Sequence, residues 1–157
     1  MCRRWSAGSR PRGWSEMSPR MTALETAPRP PLGARLQALP VIGAARLLAR
    51  CRPARIRAVL GVLARGAGPA TAERTAHARD VVVGTSMRCA GPRCLERSIA
   101  TALLCRVGGT WPDWCTGVAL RPFRAHAWVE AEGRPIGEDE QDIALFVAAM
   151  RVTRRGT

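Results

Sequence analysis

Lysine, asparagine and tyrosine are absent from this 157-residue chain, and histidine occurs only twice. The three missing residues share AT-rich codons. The 25 basic side chains, all arginine, and the formal net charge of +13 therefore read first as the product of GC-rich coding and not as a selected basic surface. The densest interior cluster, Arg50, Arg52, Arg55 and Arg57, has no aromatic side chain between its members on which a base would stack, so no nucleic-acid partner is expected. Long hydrophobic runs are missing too. Leu47-Leu48 and Val59-Leu60 are flanked by arginines, short of the roughly 18 apolar residues that a membrane span needs, although an arginine-rich amphipathic segment can rest on a membrane surface. The N-terminus carries positive charge but not the apolar stretch of a secretory signal. That places the six cysteines (2, 51, 89, 94, 105 and 115) in a reducing cytoplasm as free thiols rather than in a disulfide framework.

What is present suffices for one domain with an ordinary core, since 46% of the residues are hydrophobic. Residues 1–33 are rich in Arg, Pro, Ser and Gly without apolar periodicity, which predicts disorder, and Met17 and Met21 offer later starts for translation. From 34 to 51, Leu36, Leu39, Ile42, Leu47 and Leu48 recur near helical spacing, with Pro40 and Gly43 expected to kink or interrupt the element. Pro53 opens a second helix through Ile56, Val59, Leu60 and Leu63, closed by Gly66-Ala67-Gly68. A third follows Pro69, with Thr71 as N-cap and Glu73 in its first turn, and runs to about Met87, although Val81-Val82-Val83 would also suit a strand.

Beyond 88 the pattern changes. Cys94 stands in the first turn of a helix whose Leu95, Ile99, Ala102 and Leu103 form one apolar stripe. After Gly108-Gly109, the runs TGVALR, AHAWVE and RPIGE read as short strands, the last two joined by a hairpin turn at Glu132-Gly133. The fold class is α+β: a helical region over 34–87, then a core over 88–150 that combines a cysteine-bearing helix with a short antiparallel sheet.

The candidate chemistry is nucleophilic. A thiol attacks as the thiolate and needs a base beside it. Cys94 has the favourable position, because the start of a helix directs its free N–H groups and positive dipole end toward the sulfur and toward any oxyanion formed there. Cys105 lies at the opposite end of the same helix, and Cys115 reads as a packing thiol. His126 begins a strand and is the candidate base, whereas His77 lies on the polar part of a helix. The third member must be an acid or Gln, since a chain without Asn cannot build a Cys-His-Asn set. A two-residue hairpin loop pairs His126 with Asp139, and one extra residue shifts the partner to Glu138, so spacing leaves both open. Trp111, Trp114 and Trp128 are candidates for lining a cleft, with core packing expected for at least two of them. The closest cysteines, 89 and 94, have four residues between them, looser than the paired thiols of most structural zinc sites. No metal or other cofactor is expected, and the Gly108-Gly109-Thr110 turn lacks the lysine of a phosphate-binding loop.

The run CAGPRCLERSIATALLCRVGGTWPDWCTGVALRPFRAHAWVEAEGRPIGE, residues 89–138, resembles the transglutaminase-like leader peptidases of lasso peptide biosynthesis. The resemblance implies a papain-like core and a triad of Cys94 as nucleophile, His126 as general base and later acid, and Glu138 as orienting carboxylate, at a position where the family often carries Asp. It also implies a lasso precursor peptide as substrate, a separate small leader-recognition protein as partner, and the lasso cyclase nearby. The rival readings are a transglutaminase passing the acyl group to an amine, and a non-catalytic peptide-binding module with a buried thiol.

Overall fold

The computed structural model describes residues 27–154. The expected disorder and the alternative starts at Met17 and Met21 thus fall on residues 1–26, outside the described residues, and helix begins at Leu32, just inside the segment expected to lack it. Helix α1 (Leu32–Ala49) runs through Pro40 and Gly43 as one element. Pro40 and Leu36 are exposed, so the carbonyl that proline leaves without an N–H donor lies on the solvent side, where the loss is small. The face that α1 buries also differs from expectation. Ala38, Val41, Ile42 and Ala45 enter the core while Leu36, Leu39 and Leu47 are 70%, 54% and 67% exposed. Small side chains let α1 approach the helices beneath it closely, and the larger leucines are turned outward. With 18 residues and a mean hydropathy of 1.2, α1 is long and apolar enough, by length and composition alone, to cross a membrane, contrary to the reading that no stretch approaches that limit.

Helix α2 (Pro53–Leu63) has Pro53 in its first turn, where proline's missing N–H costs nothing. The two-residue strand β1 (Gly68–Pro69) follows. Helix α3 (Ala72–Thr85) is capped by Thr71, whose side chain accepts from the Arg74 N–H at 3.2 Å. Val81, Val82 and Val83 are helical and buried, so burial overrides their preference for a strand. Helix α4 (Cys94–Val107) is the centre of the molecule. It contacts α1, α3 and three of the strands that follow it, and it buries Arg97, Ser98, Thr101 and Cys105 as well as Ile99, Ala100 and Ala102. The single stripe expected for it is too narrow, because neighbours surround it on several sides.

Strand β2 (Thr110–Trp111) pairs in parallel with β1. Strands β3 (Asp113–Leu120) and β4 (Phe123–Ala131) form a long antiparallel hairpin, β5 (Arg134–Pro135) returns along β4, and after the short helix α5 (Glu140–Ile143) strand β6 (Val147–Val152) adds to the other side of β3. The four-stranded order is β5-β4-β3-β6. The chain is thus mixed α and β with an antiparallel sheet, as its sequence pattern indicates. One hydrophobic core extends from Ala38 and Leu60 through Val82 and Ile99 to Trp114, Val129 and Val152.

Candidate active site

Cys94 occupies the first turn of α4, and the preceding residue, Arg93, makes no side-chain cap. Uncapped N–H groups and the positive end of a 14-residue helix therefore face the same region as the sulfur. The loop ahead of it is tied down from within the helix: Arg97 Nη1 donates to the carbonyls of Cys89 and Gly91, each at 3.2 Å.

His126 comes from β4, directly across the hairpin from Gly117 on β3. A Cβ on Gly117 would lie 2.9 Å from the Val147 carbonyl and about as close to Trp128 and Phe146, so glycine there lets those two rings close around the imidazole. Trp128 lies nearly parallel to the His126 ring at 6.1 Å and an interplanar angle of 11°, and Phe146 is tilted against it at 5.6 Å. Trp128 is itself held by a 2.8 Å hydrogen bond from Nε1 to Glu130, whose other oxygen pairs with Arg151 at 2.7 Å.

Glu138 approaches from the segment after β5. Its Oε2 lies 3.2 Å from His126 Nε2, which leaves Nδ1 as the nitrogen for the thiol. The hairpin itself has the two-residue loop that would align Asp139 with His126, since Glu130 pairs with Pro135 and Ala131 with Arg134. The ladder does not continue that far. Gly137 adopts φ of 71°, in the left-handed region that glycine enters without steric cost, and this turns Glu138 toward the imidazole. Asp139 is exposed and accepts from the Gln141 N–H at 2.8 Å as the N-cap of α5. The structure therefore brings Cys94, His126 and Glu138 together and leaves Asp139 outside.

Electrostatics within this group favour charge separation. Burial pushes the Cys94 thiol up, but the hydrogen bond and charge of His126, the Ala127 backbone N–H and the charge of Arg97 outweigh it, so its pKa falls below the ordinary thiol value. Burial would depress His126, yet its hydrogen bonds to Cys94 and Glu138 and their negative charges raise its pKa to about 9. Burial also opposes ionisation of Glu138, and His126, Arg97 and Arg79 together overcome it, holding the carboxyl below its usual range. Each shift favours the charged form of its group, so the row leans toward thiolate, imidazolium and carboxylate. The other buried thiols differ: burial raises Cys89, pushes Cys105 to about 11 and Cys115 to about 12. His77 is exposed. Among the described residues no three His, Cys, Asp or Glu side chains gather as metal ligands.

Residues 38–151 match the family description of the transglutaminase-like superfamily. The chain belongs to that superfamily. No curated protein and no solved structure matches it. The matched span starts in α1 and ends in β6, so the transglutaminase-like sequence includes the N-terminal helices as well as Cys94, His126 and Glu138. Membership brings the cysteine peptidase and acyl-transfer chemistry of the superfamily and names no substrate.

Several contributors to this transglutaminase-like site escaped the sequence reading. Arg79 on α3 and Arg97 on α4 both reach Oε1 of Glu138, at 3.5 and 3.4 Å. Arg97 carried a usable signal, since it lies three residues after Cys94 and so on the same side of the helix. Arg79 carried none, because its partner is 59 positions away. Phe146 lies just before a strand that no alternation announced. All three tryptophans after residue 100 are buried, Trp111 and Trp114 within the core with Nε1 bonded to the Val152 carbonyl and to Ser98 Oγ, and Trp128 against His126.

Proposed function

We propose that this protein is a cysteine peptidase that removes the leader from a lasso precursor peptide. It would work in the cytoplasm with a separate leader-recognition protein and beside the cyclase that closes the product, without a cofactor. The observation that carries the chemistry is the continuous contact from Cys94 through His126 to Glu138 at an uncapped helix start. The substrate rests on the resemblance of residues 89–138.

The cycle begins with attack of the Cys94 thiolate on the carbonyl at the junction of leader and core. The new oxyanion is stabilised by backbone N–H groups of the first turn of α4, where donors and dipole point the same way. His126 passes its proton to the departing amine as the C–N bond breaks, leaving a thioester between the leader and Cys94. His126, now neutral, takes a proton from water, and the resulting attack releases the leader as a carboxylic acid and restores the thiol. Glu138 holds the imidazole in the tautomer and orientation that both transfers require.

The test is mass spectrometry of the precursor incubated with the purified protein and the recognition protein, with and without a small amine. Release of free leader acid and a core with a new N-terminus is expected, with Cys94→Ala and His126→Ala both inactive and folded. Activity of Cys94→Ala at the wild-type rate overturns the mechanism. A leader amide in place of the acid would assign the protein to acyl transfer.

A further inference from the structure

We propose that Arg79 and Arg97 are positioning residues for this reaction: together they hold Oε1 of Glu138 so that Oε2 is presented to His126. The proposal rests on the reading of Cys94 and His126 as nucleophile and base.

The two guanidiniums come from different helices, and both are buried, at 8% and 6% exposure. A buried arginine is tolerated only where its charge and donors are satisfied, and here the shared acceptor is one oxygen of the acid. At 3.4 and 3.5 Å these are ion pairs more than strong hydrogen bonds. The shorter contacts fix what surrounds them. Arg79 Nη2 donates to the Gly137 carbonyl at 2.9 Å, pinning the peptide that turns Glu138 inward. Arg97 uses Nη1 for the carbonyls of Cys89 and Gly91 and Nη2 for Glu138. One side chain thereby sets the loop leading to the nucleophile and the carboxylate behind the base in a single frame. A carboxylate with one oxygen occupied by two cations cannot rotate freely, and its second oxygen is left for Nε2 of His126. A Cβ on Gly137 would stand 2.5 Å from the Arg79 guanidinium, so arginine and glycine fit as a pair.

The charged and titratable groups around this point are Cys94 and Arg97 from α4, Arg79 from α3, Glu138 itself, and Arg124, which lies over Phe146 at 5.2 Å. Loss of an arginine has two opposed consequences for His126. Weaker repulsion would raise its pKa, whereas a misplaced carboxylate would lower it. The sign separates a mere field from positioning.

The experiment follows the His126 ring by NMR titration of the full-length protein, with His126→Ala to assign the signal, in Arg97→Lys and Arg79→Gln. Lysine keeps the charge at 97, but a single ammonium cannot occupy both the Nη1 and Nη2 positions. Positioning predicts that the His126 midpoint, at about 9 in the wild type, falls by about a unit or more in both variants. It also predicts that kcat for precursor cleavage drops tenfold or more with little change in KM. A midpoint that stays or rises while thermal melts show a folded protein overturns the proposal. Because the ring titration needs no substrate, its outcome stands apart from the peptidase reading, which fails only if precursor is not cut or Cys94→Ala still cuts it.

Discussion

Replacing Glu138 by Gln changes no more than one oxygen to an amide, yet the surroundings determine which way that amide must face. Arg79 and Arg97 offer only donors at the Oε1 position, so the glutamine oxygen is drawn there and the NH2 group is left facing His126 Nε2. Two donors cannot bond each other. The imidazole responds by carrying its proton on Nδ1, the nitrogen left for the thiol, and can then no longer accept a proton from Cys94. The electrostatic loss acts in the same direction. The rise of His126 from 6.5 to about 9 corresponds to roughly 3 kcal/mol at about 1.4 kcal/mol per pKa unit. An ion pair at 3.2 Å is worth up to about 5 kcal/mol at an effective dielectric of 20 before desolvation is subtracted. Removing the carboxylate should therefore lower the His126 midpoint by about 1 to 2 units and reduce kcat on the order of 10²- to 10⁴-fold, the scale of the equivalent change in other triads. Asp139→Asn is the control, since asparagine caps a helix as well as aspartate does. The assays are ring titration and precursor cleavage at a temperature where circular dichroism shows both variants folded. A Glu138→Gln protein that cuts near the wild-type rate, or an Asp139→Asn protein that does not cut, refutes the assignment of the acid.

Iodoacetamide at neutral pH should alkylate Cys94 ahead of Cys89, Cys105 and Cys115, whose thiols burial pushes up, and His126→Ala should abolish that preference; peptide mapping after timed quenching reads the order. Stability should fall toward both pH extremes. His126 has a folded pKa raised to about 9, so its contribution is fully present below about 6.5 and is lost as pH rises through 9. Glu138 has a depressed one, so its contribution is present above the ordinary carboxylate range and lost as pH falls through the lowered value. Thermal melts across pH check both limbs, and a Tm that is flat between pH 7 and 10 would contradict the alkaline one. Gly137→Ala forces a side chain into a left-handed backbone at roughly 1 kcal/mol and into the Arg79 guanidinium, so it should slow alkylation of Cys94 as well as lower Tm.

Much of this architecture could be read from local chemistry, and the parts that could not share a physical reason. Pro53, Thr71 and Gly108 mark helix ends through φ restriction, side-chain acceptance and loss of a side chain, and each does so using residues within one turn. The place of Cys94 at the head of α4 was legible in the same way, because a helix start is a local event. Its partners were less so. Glu132 and Gly133 both adopt positive φ, of 54° and 76°, and make the tight turn that their sequence suggests. Continuing that register would set Asp139 opposite His126, and the left-handed Gly137, which spacing did not announce, turns Glu138 there instead. The buried face of α1 was misjudged because leucines signal burial strongly, while a close helix contact selects Ala38 and Ala45 for their small size. Val147–Val152 became a strand through pairing with β3 rather than through any alternation of its own, since most of its side chains are exposed.

The ionic network also ties the N-terminal helices to the candidate site. Glu138 is reached from the sheet side by His126 and from the helix side by Arg79 and Arg97. An acid held only by the imidazole would face a desolvation cost against ionisation with one partner to offset it. Two permanent cations favour its ionised form whether His126 is charged or neutral, and in the proposed cycle the base alternates between those states. In that cycle a fixed carboxylate behind a base of changing charge would let the same imidazole first donate a proton and then accept one. Since one of the two cations belongs to α3, the segment before residue 88 supports the nucleophile's helix by packing and the acid's charge by contact.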